Sequence, residues 1–128
     1  MEIYEVCKSR NGFMSYLEQN PGIIVICLSA SWCKPCHTIS QTVQTFFNTF
    51  SSDTIICAKL DVDMYGDLYS FLRSKRMVAG VPTILCYIKG NVSYIPDDVV
   101  SGGDISRVVQ FFNRVLDYAR NIQNTQEK

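Results

Sequence analysis

The sequence predicts an α/β fold in which a central mixed sheet of four to five strands carries helices on both faces. Three observations point there. Apolar, β-branched runs alternate with stretches of helical periodicity along most of the chain, the pattern of strand–helix–strand units. The run Ile23-Ile24-Val25-Ile26-Cys27-Leu28 is apolar at every position, as expected of a strand covered on both sides. Lys89-Gly90-Asn91 then separates two strand-like runs, so a hairpin with antiparallel pairing follows the alternation. The 128 residues read as a single domain over 1–121, long enough to bury a core, and a polar tail over 122–128 that is expected to be disordered.

In chain order, Ile3, Tyr4 and Val6 predict a short edge strand. Asn11 is expected to cap a helix with Phe13, Tyr16 and Leu17 on one face, ended by Asn20-Pro21-Gly22. The apolar strand over 23–28 delivers the chain to Trp32-Cys33-Lys34-Pro35-Cys36, and a helix begins near Pro35. Ile39, Val43, Phe46, Phe47 and Phe50 recur along it at helical spacing. Ser51-Ser52-Asp53 breaks it. A strand over 54–60 follows and ends in Asp61-Val62-Asp63, and Leu68, Phe71 and Leu72 mark a shorter helix. Ile84 to Ile88 reads as a strand, with Val92 to Ile95 as its hairpin partner. Asp104 caps a closing helix whose apolar face is Ile105, Val108, Val109, Phe112, Val115, Leu116 and Ala119.

Lys plus Arg and Asp plus Glu are balanced at 12 each, which argues against a nucleic-acid partner held by bulk charge. No apolar run approaches the roughly 20 residues of a membrane span. Met1-Glu2-Ile3-Tyr4-Glu5 is acidic and alternating rather than a secretory leader. A soluble cytoplasmic protein with no membrane partner is therefore expected. Cys27, Cys57 and Cys86 stand in apolar runs, where a free thiol behaves as a small hydrophobe, and Cys7 reads as a bystander.

Cys33 and Cys36 are different. They stand where a strand hands over to a helix, with Cys33 at the helix N-terminus, where unpaired N–H groups and the macrodipole favour a thiolate. Cys36 lies about one turn on, within reach of a disulfide. Cys33 to His37 also fits the c-type haem attachment pattern, but the Trp before it and the apolar helix after it leave no obvious haem pocket. A zinc site lacks a second ligand cluster at suitable spacing, so no metal is expected. His37 reads as a solvated first-turn residue.

Four fragments in order resemble the thioredoxin family over about residues 2–120. They are Trp32-Cys33-Lys34-Pro35-Cys36, Lys59-Leu60-Asp61-Val62-Asp63, Val81-Pro82-Thr83 and Lys89-Gly90-Asn91. The resemblance implies the thioredoxin fold and a thiol-disulfide oxidoreductase that reduces protein disulfides, with Cys33 as nucleophile and Cys36 as resolving thiol. It implies a cis Pro82 facing the dithiol, Val81 offering its backbone to an extended substrate segment, and Trp32 shaping an apolar lip. Two positions depart from the family. Cys27 stands where the family has a buried Asp beneath the resolving cysteine, which is expected to slow that thiol's deprotonation and to let Lys59 shift toward solvent. Lys34 replaces Gly between the cysteines and should favour the Cys33 thiolate slightly, an exposed charge being well screened.

The chain has no Gly-rich dinucleotide fingerprint. No bound cofactor is expected, and electrons should come from an external dithiol donor, a thioredoxin reductase with NADPH or glutathione. The expected partners are disulfide-containing proteins, and the expected state is a monomer. A disulfide oxidase or isomerase and a thioredoxin-fold interaction module are the alternatives. The retained Cys33, Cys36, Trp32, Pro35 and Pro82 count against the module.

Overall fold

Strand β1, Ile23–Ser29, is buried at every position and lies inside a four-stranded sheet ordered β2-β1-β3-β4. The computed structural model describes residues 2–126. β1 pairs in parallel with β2 (Ile55–Asp61) and antiparallel with β3 (Thr83–Ile88), which pairs antiparallel with β4 (Asp98–Ser101). The parallel pair needs a crossover, and helix α3 (Lys34–Phe50) supplies it. Helices α1 (Ile3–Val6), α2 (Arg10–Leu17), α4 (Gly66–Ser74) and α5 (Ile105–Gln126) complete the fold.

Because side chains alternate along a strand, β1 serves two cores at once. Ile24, Ile26 and Leu28 pack with Phe13 and Leu17 of α2 and Leu68 and Leu72 of α4. Ile23, Val25 and Cys27 pack with Ile39, Val43 and Phe47 of α3 and Phe111 and Val115 of α5. Phe46 stacks on Phe112 with ring centroids 4.1 Å apart, joining α3 to α5. The mixed sheet with helices on both faces is as the sequence predicts. Among the described residues, no helix is long and apolar enough to cross a membrane.

Four local expectations are corrected. Ile3–Val6 is a helical turn rather than an edge strand: Ile3, Val6 and Cys7 are buried at spacings of three and four, and Cys7 N–H donates to the Ile3 carbonyl. The cap of α2 is Ser9, whose hydroxyl accepts from Gly12 N–H, not Asn11. The strand paired with β3 is 98–101, not 92–95. The Asn91 amide donates to the Ile95 carbonyl and the Asp97 carboxylate, and Ile88 N–H donates to the same carboxylate, so these groups form a folded loop. Finally, α5 continues through Gln126, past the expected boundary at 121; the remainder of the expected tail, 127–128, lies outside the described residues.

Asp98 ties β4 to α5. Its carboxylate accepts two hydrogen bonds from Arg114 and one from the Tyr118 hydroxyl at 2.6 Å. Burial alone would raise this carboxyl, but the bonds from Arg114, Tyr118 and Val99 N–H outweigh it and hold Asp98 below the usual carboxylate range. A depressed folded-state value stabilises above the unfolded carboxylate pKa and ceases to do so as pH falls through the folded value. Asp98→Asn is accordingly expected to cost about 1 kcal/mol in urea unfolding at pH 7, since Arg114 is half exposed. The deficit should shrink below about pH 4.

Candidate active site

β1 ends at Ser29, and a turn in which Cys33 N–H donates to the Ala30 carbonyl leads straight into α3. Cys33 is the N-cap of that helix: its extended backbone presents Sγ to Cys36 N–H at 3.2 Å. A sulfur thus takes the place usually filled by a Ser or Asp oxygen, accepting an N–H that has no carbonyl partner inside the helix. Pro35 fits the first turn because it has no N–H to satisfy. Cys33 and Cys36 are joined as a disulfide, with Cα atoms 5.3 Å apart.

Exposure does not rank the two cysteines, at 5% for Cys33 and 4% for Cys36. Their neighbours do. Cys33 Sγ lies 3.7 Å from the Val81 carbonyl oxygen, on the side of the cis Val81–Pro82 peptide. Cys36 lines a cavity of about 320 Å³, shared with His37, Ser40, Lys59 and Asp61. The loop carrying Pro82 is tied down from both ends: Gly102 N–H donates to the Pro82 carbonyl, and the Thr83 hydroxyl donates to the Gly80 carbonyl. Gly103 closes the floor, since a Cβ there would meet Pro35 Cβ at 2.9 Å.

Trp32 is 67% exposed, and its Nε1–H donates to the Asp63 carboxylate at 2.9 Å. Asp63 is steadied in turn by its own N–H donating to the Asp61 side chain. The indole is therefore an apolar surface fixed beside the disulfide. Met64, next to Asp63, adds a second exposed apolar side chain. Lys34 is exposed in the first turn of α3.

Cys27 and Lys59 are register partners on β1 and β2. Burial pushes the Cys27 thiol up to about 12, with only partial relief from the Lys59 ammonium, so near neutrality it stays protonated. Lys59 has not moved out to solvent: its Nζ donates to the Ser40 hydroxyl at 3.0 Å in a partly buried setting. Burial likewise pushes Cys7, Cys57 and Cys86 up to about 12, so the other four thiols do not compete as nucleophiles. Cys27→Asp is expected to speed release of a mixed disulfide several-fold, by placing a buried carboxylate beside Lys59; stopped-flow measurement of product thiol checks this.

Trp32 to Cys36 are consecutive, Val81 lies against Cys33 Sγ at the cis Pro82 peptide, and Cys27 and Lys59 form a register pair on β1 and β2. Asp63, Ser40 and Gly103 were missed as supports. The signal for Asp63 was its place just past β2; Ser40 and Gly103 carry no local signature.

The thioredoxin family model matches residues 4–114. Among curated proteins, thioredoxin of Coprinus comatus is 32% identical over 68 residues, covering 53% of this chain and 60% of that one. Thioredoxin-2 of Saccharomyces cerevisiae is 30% identical over 83 residues, covering 65% of this chain and 74% of that one. The chain thus spans less than two thirds of the first of these relatives. Among solved structures, a Plasmodium falciparum thioredoxin superposes with a TM-score of 0.64 at 24% identity, covering 84% of this chain and 94% of that one.

Proposed function

Because the chain belongs to the thioredoxin family, we propose that it reduces disulfide bonds in other proteins through Cys33 and Cys36. The observation that carries this reading is the placement of the Cys33–Cys36 pair at the N-terminus of α3, with Cys33 Sγ against Val81 at the cis Pro82 loop.

In the reduced protein, the Cys36 N–H and the positive end of α3 stabilise a thiolate on Cys33, and Lys34 adds a screened cation. An extended substrate segment lies along the Val81 backbone, and the fixed Trp32 indole covers its apolar side. The Cys33 thiolate attacks one substrate sulfur. A Cys33–substrate disulfide forms, the substrate disulfide breaks, and its second sulfur leaves as a thiolate. Cys36 then loses its proton and attacks Cys33 Sγ, so the Cys33–Cys36 disulfide forms and the remaining substrate sulfur leaves. Two electrons have passed to the substrate. An external dithiol donor, a thioredoxin reductase with NADPH or glutathione, returns them; the protein itself binds no cofactor, works as a monomer and acts in the cytoplasm.

Insulin reduction with dithiothreitol as donor tests the activity by turbidity. The wild type is expected to precipitate the insulin B chain well before the donor alone, and Cys33→Ser to show only the donor's rate; equal lag times for both proteins would refute the reading. The reduction potential of the pair separates reductase from oxidant: a value near about −270 mV is expected, whereas one near about −120 mV would make the protein an oxidant.

A further inference from the structure

The resolving step requires a base, and Cys27, at the position where the family resemblance puts a buried acid, does not supply one. Cys27 is 2% exposed and packs among Val25, Ile39 and Val43, away from water. Its thiol, pushed up to about 12, keeps its own proton under the conditions in which Cys36 must lose one. The proton therefore has to leave by another route. One is open: the cavity of about 320 Å³ that Cys36 lines, which is roomy enough for several waters.

The titratable and charged groups facing that cavity come from two elements. α3 contributes Cys36 and His37, and β2 contributes Lys59 and Asp61. Lys34 stands exposed in the same turn of α3, and Cys27 is the register partner of Lys59 on β1. Lys59 is a cation already donating to Ser40 and has no lone pair to offer. The Asp61 carboxylate is already engaged by the Asp63 N–H. His37 remains. Its Nε2 lies 2.7 Å from the Ser31 carbonyl, an atom that only accepts, so Nε2 carries the hydrogen. In the neutral ring Nδ1 is then the bare, basic nitrogen. A neutral imidazole with one bare ring nitrogen is the side-chain group most often used as a general base.

We infer that His37, held by Ser31 and bordering the same cavity as Cys36, accepts the Cys36 proton through water when the mixed disulfide is resolved. The inference rests on the reductase reading above. The step balances simply. The Cys36 proton passes by way of a water to His37 Nδ1; the Cys36 electron pair forms the bond to Cys33 Sγ; the Cys33–substrate bond breaks; and the substrate sulfur leaves with that bond's electron pair. The imidazolium then gives its proton to solvent or to the departing thiolate. In this chain the cavity and His37 together replace the proton acceptor that Cys27 has displaced.

The experiment is stopped-flow reduction of an aromatic disulfide, 5,5′-dithiobis(2-nitrobenzoate), by the pre-reduced protein between pH 5.5 and 9. Two thiolates are released in succession. The first reports attack by Cys33 and so tests the reductase reading by itself; the second reports resolution by Cys36. In the wild type the second phase should rise with pH through one inflection and then flatten, as expected when a single basic group must be unprotonated. In His37→Gln, whose amide can still donate to Ser31, it should be slower by about 10-fold or more at pH 7.5 and lose that inflection. Added imidazole should restore much of the lost rate. A second phase with unchanged rate and pH profile in His37→Gln would overturn the inference. So would a slowed phase that keeps its inflection and does not respond to imidazole, since a purely structural role would behave in that way. Absence of the first phase in the wild type would instead overturn the reductase reading.

Discussion

Cys36→Ser is expected to stop after half a turnover, with substrate held on Cys33. The serine hydroxyl cannot attack a disulfide, so the adduct waits for an external thiol. Turnover should fall on the order of 100-fold or more, because a neighbouring sulfur acts at an effective concentration far above that of millimolar dithiothreitol. The fold should survive: Cys36 is small, and the Cys36 N–H that reaches Cys33 Sγ belongs to the backbone. Intact-mass measurement after mixing with a disulfide substrate should show a one-to-one adduct that dithiothreitol removes. A variant that turns over at the wild-type rate would mean that Cys36 is not the resolving group.

The largest stability effect is expected at Phe111. Its ring is fully buried on the α3/α5 side of the sheet, meets Phe112 edge-on at 5.6 Å and lies under the Arg114 guanidinium. Phe111→Ala would leave a cavity that the sheet behind it cannot fill, at a cost of about 3–5 kcal/mol. For a domain of this size that lowers Tm by roughly 10–20 °C. Urea unfolding should show a lower midpoint with little change in slope.

Phe111 also shows where the sequence misleads. The sequence pattern runs the apolar face of α5 through Ile105 and Val109, yet these are 45% and 42% exposed. The buried positions are Val108, Phe111, Phe112 and Val115, spaced i, i+3, i+4, i+7. Two overlapping apolar stripes are present, and only the packing against α3 and β1 selects between them. The N-terminal turn failed for a related reason. Ile3, Tyr4 and Val6 look strand-like, and the helical spacing appears only once Cys7 is counted with the core. The hairpin failed because Gly90-Asn91 is a true turn, with Gly90 at φ 98°, while the pairing it was expected to begin is postponed by the Asn91–Asp97 hydrogen bonds.

The active site was more legible because its chemistry is local. Cys33 as N-cap, Pro35 in the first turn and Cys36 one turn on are fixed by adjacent residues. What spacing does not reveal are the partners that arrive through the fold: Ser40 for Lys59, Asp63 for Trp32, and the Ser31 carbonyl that sets the His37 tautomer. The expected release of Lys59 to solvent failed on such a partner, since a hydroxyl one helix away keeps the ammonium in the cleft.

The central claim is that Cys33 and Cys36, and no other cysteines, carry the two electrons. Peptide mapping after a single turnover tests it most directly: pre-reduced protein is mixed with a disulfide substrate, quenched with an alkylating reagent under denaturing conditions and digested. The predicted result is a Cys33–Cys36 disulfide formed in step with two substrate thiols, with Cys7, Cys27, Cys57 and Cys86 all alkylated. Substrate thiols appearing while Cys33 and Cys36 remain alkylated, or a disulfide that includes Cys27, would contradict it.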